Sequence, residues 1–296
     1  MAFRVDKHDI YFNDNFEGPL EKDDVDNLKI LLSENGLKSL VMSNDSVFQE
    51  SIDILSDVEE LEVIRLSNHY RKKIGKLPRN LREFHSGDVF NQLIIFPDSV
   101  EIIVFGFSFN TYLEKYPENL KQIEFGKKFN KSLDNLPENL ETLYLTGDFS
   151  QRLDNLPKNL KKISMMGIYE CLFNHPIENL PSGLKEIYFS GYFNQSIDML
   201  PESLEIIYFN AKFDQSIDNL PRNLKKISFM SYSKFNRNID NLPDSIEEIK
   251  LPQKYDIEIK KLPSSLVILE INKTYPFSDK LLEKYPGKII MKSYYK

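Results

Sequence analysis

Apolar residues recur along this chain in one phrase: a Leu, three residues later an Ile or Leu, and two beyond that a Phe or Leu. Leu140-x-x-Leu143-x-Leu145 and Leu204-x-x-Ile207-x-Phe209 are two instances. The closing apolar–variable–apolar step has the period of a strand with one face buried. An aromatic residue usually follows four positions later, then a polar residue, and an Ile or Leu stands four beyond the aromatic. Phe193–Phe209 reads FNQSIDMLPESLEIIYF and Phe213–Phe229 reads FDQSIDNLPRNLKKISF, with ten of seventeen positions identical. Strands are predicted over 8–12, 37–42, 61–66, 81–86, 100–105, 120–125, 140–145, 160–165, 184–189, 204–209, 224–229, 246–251 and 266–271. An incomplete further turn is predicted over 288–291.

A proline punctuates the intervals, at Pro78, Pro97, Pro117, Pro137, Pro157, Pro181, Pro201, Pro221, Pro243 and Pro263. The spacing is 20 residues, apart from single steps of 19, 22 and 24. Such a period is the signature of a repeat array. The unit is too short for a strand and a full helix, but it suits one short strand and a tight return of turn or 3-10 character. Proline fixes φ and offers no N–H, so it belongs in the return. One unit cannot bury its own apolar side chains. Stacked units do, at about 1.5–3 kcal/mol for each large side chain.

The predicted fold is therefore a β-rich repeat solenoid of right-handed coils. A parallel sheet would form the concave face, with turns and short 3-10 segments on the convex face. Only two alanines occur, Ala2 and Ala211, which argues against a helical array.

Two stretches interrupt the period. Residues 21–34, EKDDVDNLKILLSE, carry Val25, Leu28, Leu31 and Leu32 at helical spacing, with acids crowding the start. They predict an N-terminal helical insertion covering the convex side. Residues 166–176, MGIYECLFNHP, add four residues between strand and aromatic and hold Tyr169, Cys171 and His175. The expected organisation is one continuous domain: an N-terminal cap over 1–36 with the first coil and the helical insertion, the array over 37–271, and a C-terminal cap over 272–296.

The recurring polar and aromatic letters have structural roles. Phe109, Phe129, Phe149, Phe193 and Phe213 are expected to stack as a buried spine. Asn110, Asn130 and Asn194 are expected to satisfy turn backbone as a ladder. Asp134, Asp154, Asp198, Asp218 and Asp240 are placed to cap the return turn.

The phrase written FNQSIDML at Phe193–Leu200 and FNRNIDNLP at Phe235–Pro243 resembles the FNIP repeat, a family of amoebae and the large DNA viruses that infect them. The unit L-P-x-x-L-x-x-L-x-L is also similar to the shortest, bacterial-effector type of leucine-rich repeat. The resemblance spans residues 10–271 and implies an interaction module with no catalytic residue. Two departures stand out. The family's Pro after F-N-x is mostly Ser here (Ser132, Ser196, Ser216), with Pro kept at Pro19 and Pro176. Nothing before Leu37 reads like the F-box that several members carry.

Composition narrows the function further. A formal charge of −7 opposes sequence-independent nucleic-acid binding and docking on anionic membranes. No secretory h-region or run of eighteen apolar residues occurs, so a cytoplasmic location is expected, in the host if the chain is viral. The single Cys171 rules out an internal disulfide or a thiolate zinc cluster. The four histidines, His8, His69, His85 and His175, fall in different units. No G-x-S-x-G, H-E-x-x-H, P-loop or dinucleotide motif occurs. The coil carboxylates recur singly, without a calcium loop. No catalytic residue, cofactor or metal is assigned.

What varies between coils points outward. Along the sheet face this gives Tyr144, Met166, Tyr188, Ile206, Tyr208 and Met230 as candidate partner-binding residues. The expected function is a non-enzymatic protein-protein interaction scaffold that uses the concave face and rim loops. The alternatives are an enzyme or regulatory factor with its site in loop 166–176, and a self-assembling structural protein. The Lys-rich segment over 288–296 reads as a polar cap, which favours a monomer or weak homodimer.

Overall fold

Every predicted phrase forms a strand, but a strand of only three to five residues that begins after the opening Leu. The N–H of the opening Leu is already used by the return turn. Leu140 donates to the carbonyl of Pro137 at 3.0 Å, and Leu204 to that of Pro201 at 3.1 Å. The chain is described here by a computed structural model covering residues 2–6, 9–13, 15–167 and 170–293. His8 and Tyr169, singled out above, and the last three residues of the proposed polar cap lie outside the described residues.

Contacts divide the chain into two compact units, Met1–Gly147 and Asp148–Lys296. The first contains β1 (Phe3–Asp6), β2 (Asp9–Phe12), α1 (Lys22–Asn35), β3 (Ser39–Val41), β4 (Val63–Arg65), β5 (Glu83–His85), β6 (Ile102–Val104), β7 (Gln122–Phe125) and β8 (Thr142–Leu145). Strands β2 to β8 pair in parallel in chain order. β1 was not foreseen; it pairs antiparallel with β2 and covers that edge, with the Phe3 and Phe12 rings 5.0 Å apart. Helix α1 buries Val25, Leu28 and Leu32, while Leu31 is half-buried. The Glu21 N–H donates to Asp24 at its start, and Gly36 closes it at φ 61°. A 3-10 turn, Asp53–Asp57, lies in the first return after β3.

The second unit contains β9 (Lys162–Ser164), β10 (Glu186–Tyr188), β11 (Ile206–Phe209), β12 (Lys226–Phe229), β13 (Glu248–Lys250), β14 (Ile268–Asn272), a short α2 (Ser278–Lys284) and β15 (Ile289–Lys292). All neighbours pair in parallel. β15 is the incomplete turn predicted at 288–291; α2 was not anticipated. Among the described residues, no helix is long and apolar enough to cross a membrane.

Both units are β-solenoids, and side-chain ladders hold each in register. Ile187, Ile207, Ile227, Ile249 and Leu269 oppose one another and are buried. The expected Phe spine is present, and it is doubled. Phe173, Phe193, Phe213 and Phe235 stack at 6.1 to 6.2 Å, and the strand residues Phe189, Phe209 and Phe229 pack on it at 3.8 to 4.1 Å. The Asn ladder works through side-chain carbonyls. Asn110 Oδ1 accepts from the Asn130 N–H at 3.0 Å, and Asn194 Oδ1 accepts from the Asp214 N–H at 2.9 Å.

A charged ladder crosses the strand starts. Lys38, Glu62, Arg82, Glu101 and Lys121 pair in sequence at 2.6 to 3.5 Å, as do Lys185, Glu205 and Lys225 at 2.8 and 3.3 Å. Each exposed pair contributes little energy. The alternation nonetheless opposes a slip of one coil against the next, since a slip of one residue turns every side chain to the other face.

Candidate functional site

Strand alternation sends Ile187, Ile207, Ile227 and Ile249 into the core and their successors out onto the open face. Tyr188, Tyr208, Ser228 and Lys250 therefore form one column, each directly opposite the next. Rungs of a sheet lie about 4.8 Å apart, so long side chains at this position lie against one another. The Tyr188 and Tyr208 rings do so, 6.2 Å apart and 23° from parallel. Ser228 is too short to continue the stack. Its place between Tyr208 and Lys250 opens a groove of about 470 Å³, lined also by Lys226, Glu248, Ile268 and Glu270.

The acids around this groove are engaged. Glu248 pairs with Lys226, and Glu270 lies 3.7 Å from Lys292. Glu186 accepts from the Tyr188 hydroxyl at 3.1 Å and pairs with Lys162 at 3.2 Å; Lys162 in turn sits 5.0 Å from the Tyr188 ring centre. Burial, with Tyr232 nearby, pushes the Tyr208 phenol above its ordinary value, so it remains a neutral donor.

Of the six residues predicted from sequence, the groove gathers Tyr188 and Tyr208. Ile206 shares their face of β11, opposite Glu186 and Lys226. Met166 and Met230 follow the ends of β9 and β12 and do not line the groove. Tyr144 belongs to β8 of the first unit. All six are half-buried. Ser228 and Lys250, which share the outward row of Tyr188 and Tyr208, and Glu248 and Ile268 beside it, are not among those six. The signal for them was a small residue bracketed by large ones at the same position of successive coils.

In the first unit the same column holds Val104, Glu124 and Tyr144. Glu124 is half-buried and has no basic partner among the described residues, and burial raises its carboxyl above the ordinary value. A carboxyl raised on folding binds its proton more tightly in the native state. Stability then falls as pH climbs from the unfolded value through the raised one. Glu124→Gln is expected to raise Tm at pH 7 by about 1–3 °C, and to leave it unchanged below the ordinary carboxylate range. Thermal unfolding followed by circular dichroism at both pH values checks this; an equal shift at both would refute the assignment.

With this geometry established, comparison with known proteins places the repeat. A family profile described as FNIP Repeat matches residues 129–166, 173–212 and 193–232. These stretches of the chain are similar to FNIP repeats. Among solved structures, CroV588 of the giant virus CroV, described as a novel circular LRR protein, is similar over 93% of this chain, at 23% identity and a TM-score of 0.62. The chain spans about half of that protein, 51% of its length, so the likeness concerns the fold. YopM from Yersinia enterocolitica aligns over 81% of this chain and 76% of its own, at 18% identity and a TM-score of 0.26, too low to support an argument. No curated protein matches the chain at a significant level.

The FNIP phrase also explains the serines that stand where the family has proline. Ser196 Oγ accepts from the Asp198 N–H at 3.2 Å and donates to the Asp198 carboxylate at 2.8 Å; Ser216 and Asp218 repeat this at 3.2 and 2.6 Å. The second oxygen of Asp198 accepts from Asn219 of the next coil at 3.0 Å. The serine thus caps the turn backbone in place of the Asp expected there, and the Asp carboxylate holds the serine and ties the turn to the next coil.

In the longer coil that holds residues 166–176, Cys171 and His175 serve the backbone of the preceding coil. The Cys171 thiol is fully buried beside the Phe149 carbonyl at 3.5 Å, and burial pushes it up to about 11, far from a nucleophilic thiolate. His175 Nε2 donates to the Ser150 carbonyl at 2.9 Å, and its ring meets Phe173 edge-on at 5.9 Å. Among the described residues, no three His, Cys, Asp or Glu side chains gather as a metal site.

Proposed function

We propose that this protein is a non-enzymatic interaction scaffold whose second unit binds a protein partner across the open sheet face and its rim loops. The observation that carries the reading is the groove beside the stacked Tyr188 and Tyr208. Tyrosine is enriched at the cores of protein interfaces, where it brings large area at low rotamer entropy. The repeat frame suits the task. Its buried and hydrogen-bonded ladders are fixed from coil to coil, while the column facing outward changes residue by residue. Leucine-rich-repeat-like solenoids are typical of such scaffolds.

The combined variant Tyr188→Ala and Tyr208→Ala tests it, since truncating two aromatic anchors is expected to weaken binding at least about tenfold. Proteins captured from host lysate by the parent chain and by the variant are quantified by mass spectrometry, with circular dichroism confirming that the variant is folded. A partner retained by the parent and lost from the variant is the expected result. Equal recovery of every captured protein by both would overturn the proposal.

A further inference from the structure

Three hydrogen-bond donors on consecutive rungs of the groove are unused. The Tyr208 hydroxyl, the Ser228 hydroxyl and the Lys250 ammonium line the same 470 Å³ and have no hydrogen-bond or ion-pair partner among the described residues. Their neighbours are in a different state. Glu248 and Glu270 are held by Lys226 and Lys292, and the Tyr188 hydroxyl is held by Glu186. The unmatched charge in the groove is therefore positive and single, and it faces a phenol and a serine hydroxyl across one open rung.

We infer that the Tyr208–Ser228–Lys250 column receives the carboxylate of an Asp or Glu side chain on the partner protein, an inference that rests on reading the groove as a partner-binding surface. An ammonium has three donors and no acceptor, so Lys250 selects an anionic or strongly accepting group. A carboxylate offers about four lone-pair sites, enough for the ammonium and both hydroxyls together. The walls near this point are apolar in part: the Tyr188–Tyr208 stack lies on one side, and on the other Ile268 shares β14 with Glu270, which stands opposite Lys250 and is paired with Lys292. They suit aliphatic residues flanking the acid in an extended segment. A nucleic-acid strand is a poorer occupant. Its phosphates need a run of cations, whereas this groove has one free lysine among acids on a chain of net charge −7.

The test uses the full chain and three fluorescein-labelled decapeptides that differ at one central residue, Leu-Glu-Leu, Leu-Gln-Leu and Leu-Lys-Leu, with a ten-nucleotide oligothymidylate as a fourth probe. Fluorescence anisotropy at low ionic strength is expected to show the Glu peptide binding about tenfold more tightly than the others. Lys250→Gln is expected to remove that preference, and Lys250→Glu to transfer it to the Lys peptide. Lys250 is on the surface, and unchanged circular dichroism confirms that its variants fold.

Equal binding of the Glu and Gln peptides, or tighter binding of the oligonucleotide, overturns the carboxylate assignment. So does a Glu preference that survives Lys250→Glu, or a failure of all three peptides to bind. The capture experiment on Tyr188 and Tyr208 uses no acidic probe. It decides the groove's role separately, so loss of the carboxylate assignment is distinguishable from loss of the interaction surface.

Discussion

Phe193→Ala is expected to cost about 3–5 kcal/mol, the largest loss from any single truncation considered in the second unit. The ring is fully buried. It lies 4.0 Å from Phe189 and is stacked between Phe173 at 6.1 Å and Phe213 at 6.2 Å. Three kinds of ladder pin the neighbouring coils at fixed spacing: the β-sheet, the doubled Phe columns and the Asn side chains. Collapse around the missing ring would have to pull all three out of register, so most of the cavity remains and the cost sits toward the upper end of the range. Met199→Ala, six residues away on a side chain that is 66% exposed, is expected to change stability by no more than about 0.5 kcal/mol. Urea unfolding of both variants measures the contrast. A loss below about 1 kcal/mol for Phe193→Ala would show that the stack does not bear on stability as described.

The same ladders account for how much of the molecule was legible in the sequence. Residues that recur every coil do so because each needs its own copy above and below. Phe193 meets Phe213, Asn194 reaches Asp214, and Ile207 meets Ile227. Their period appears directly in the chain, and strands, spine and Asn ladder followed from it. Strand starts were drawn too early because hydrophobicity does not show where an N–H goes. Leu204 is as apolar as Ile207, yet its N–H closes a turn on Pro201. β1 escaped because its pairing is antiparallel and lies outside the period, its reason being the edge of β2 that it covers. The groove escaped for another reason. Ser228 is an unremarkable variable residue in its own coil and becomes a gap only once Tyr208 and Lys250 are stacked on either side. Scaffold is written in the repeated letters, whereas a site is written in differences between letters twenty or so residues apart. The Ser-x-Asp turns show a further limit: Ser196 looks like the loss of a family proline, and only the hydrogen bonds show it closing the turn another way.

Gly106→Ala is expected to destabilise the first unit by about 1–3 kcal/mol, against the ordinary rule for glycine outside special backbone geometry. Gly106 does not have a positive φ, so its backbone would accept alanine, and the stiffer unfolded chain would then add about 0.4–1 kcal/mol of stability. Close approach reverses the sign. A Cβ built on Gly106 would lie 2.3 Å from the carbonyl oxygen and 2.5 Å from the carbonyl carbon of Gly87 in the preceding coil. Both are backbone atoms and cannot rotate aside. The contact is repeated, with the corresponding atom of Gly87 meeting the Ser67 oxygen at 1.7 Å and that of Gly126 meeting the Gly106 oxygen at 2.0 Å. An alanine at Gly106 therefore cannot be relieved by shifting one coil, because the next shift presses on another glycine contact. The Gly106 N–H, which donates to Ser86 Oγ at 2.9 Å, would lose its alignment as well. Gly18→Ala supplies the control, since a Cβ there has nothing within 4 Å and no positive φ, and the variant should be neutral or gain up to about 1 kcal/mol. Thermal unfolding of the two variants side by side separates the effects. Equal stability of Gly106→Ala and the parent chain would mean that the coils can separate at this point without cost, and that the tight backbone approach is not what sets the coil spacing in the first unit.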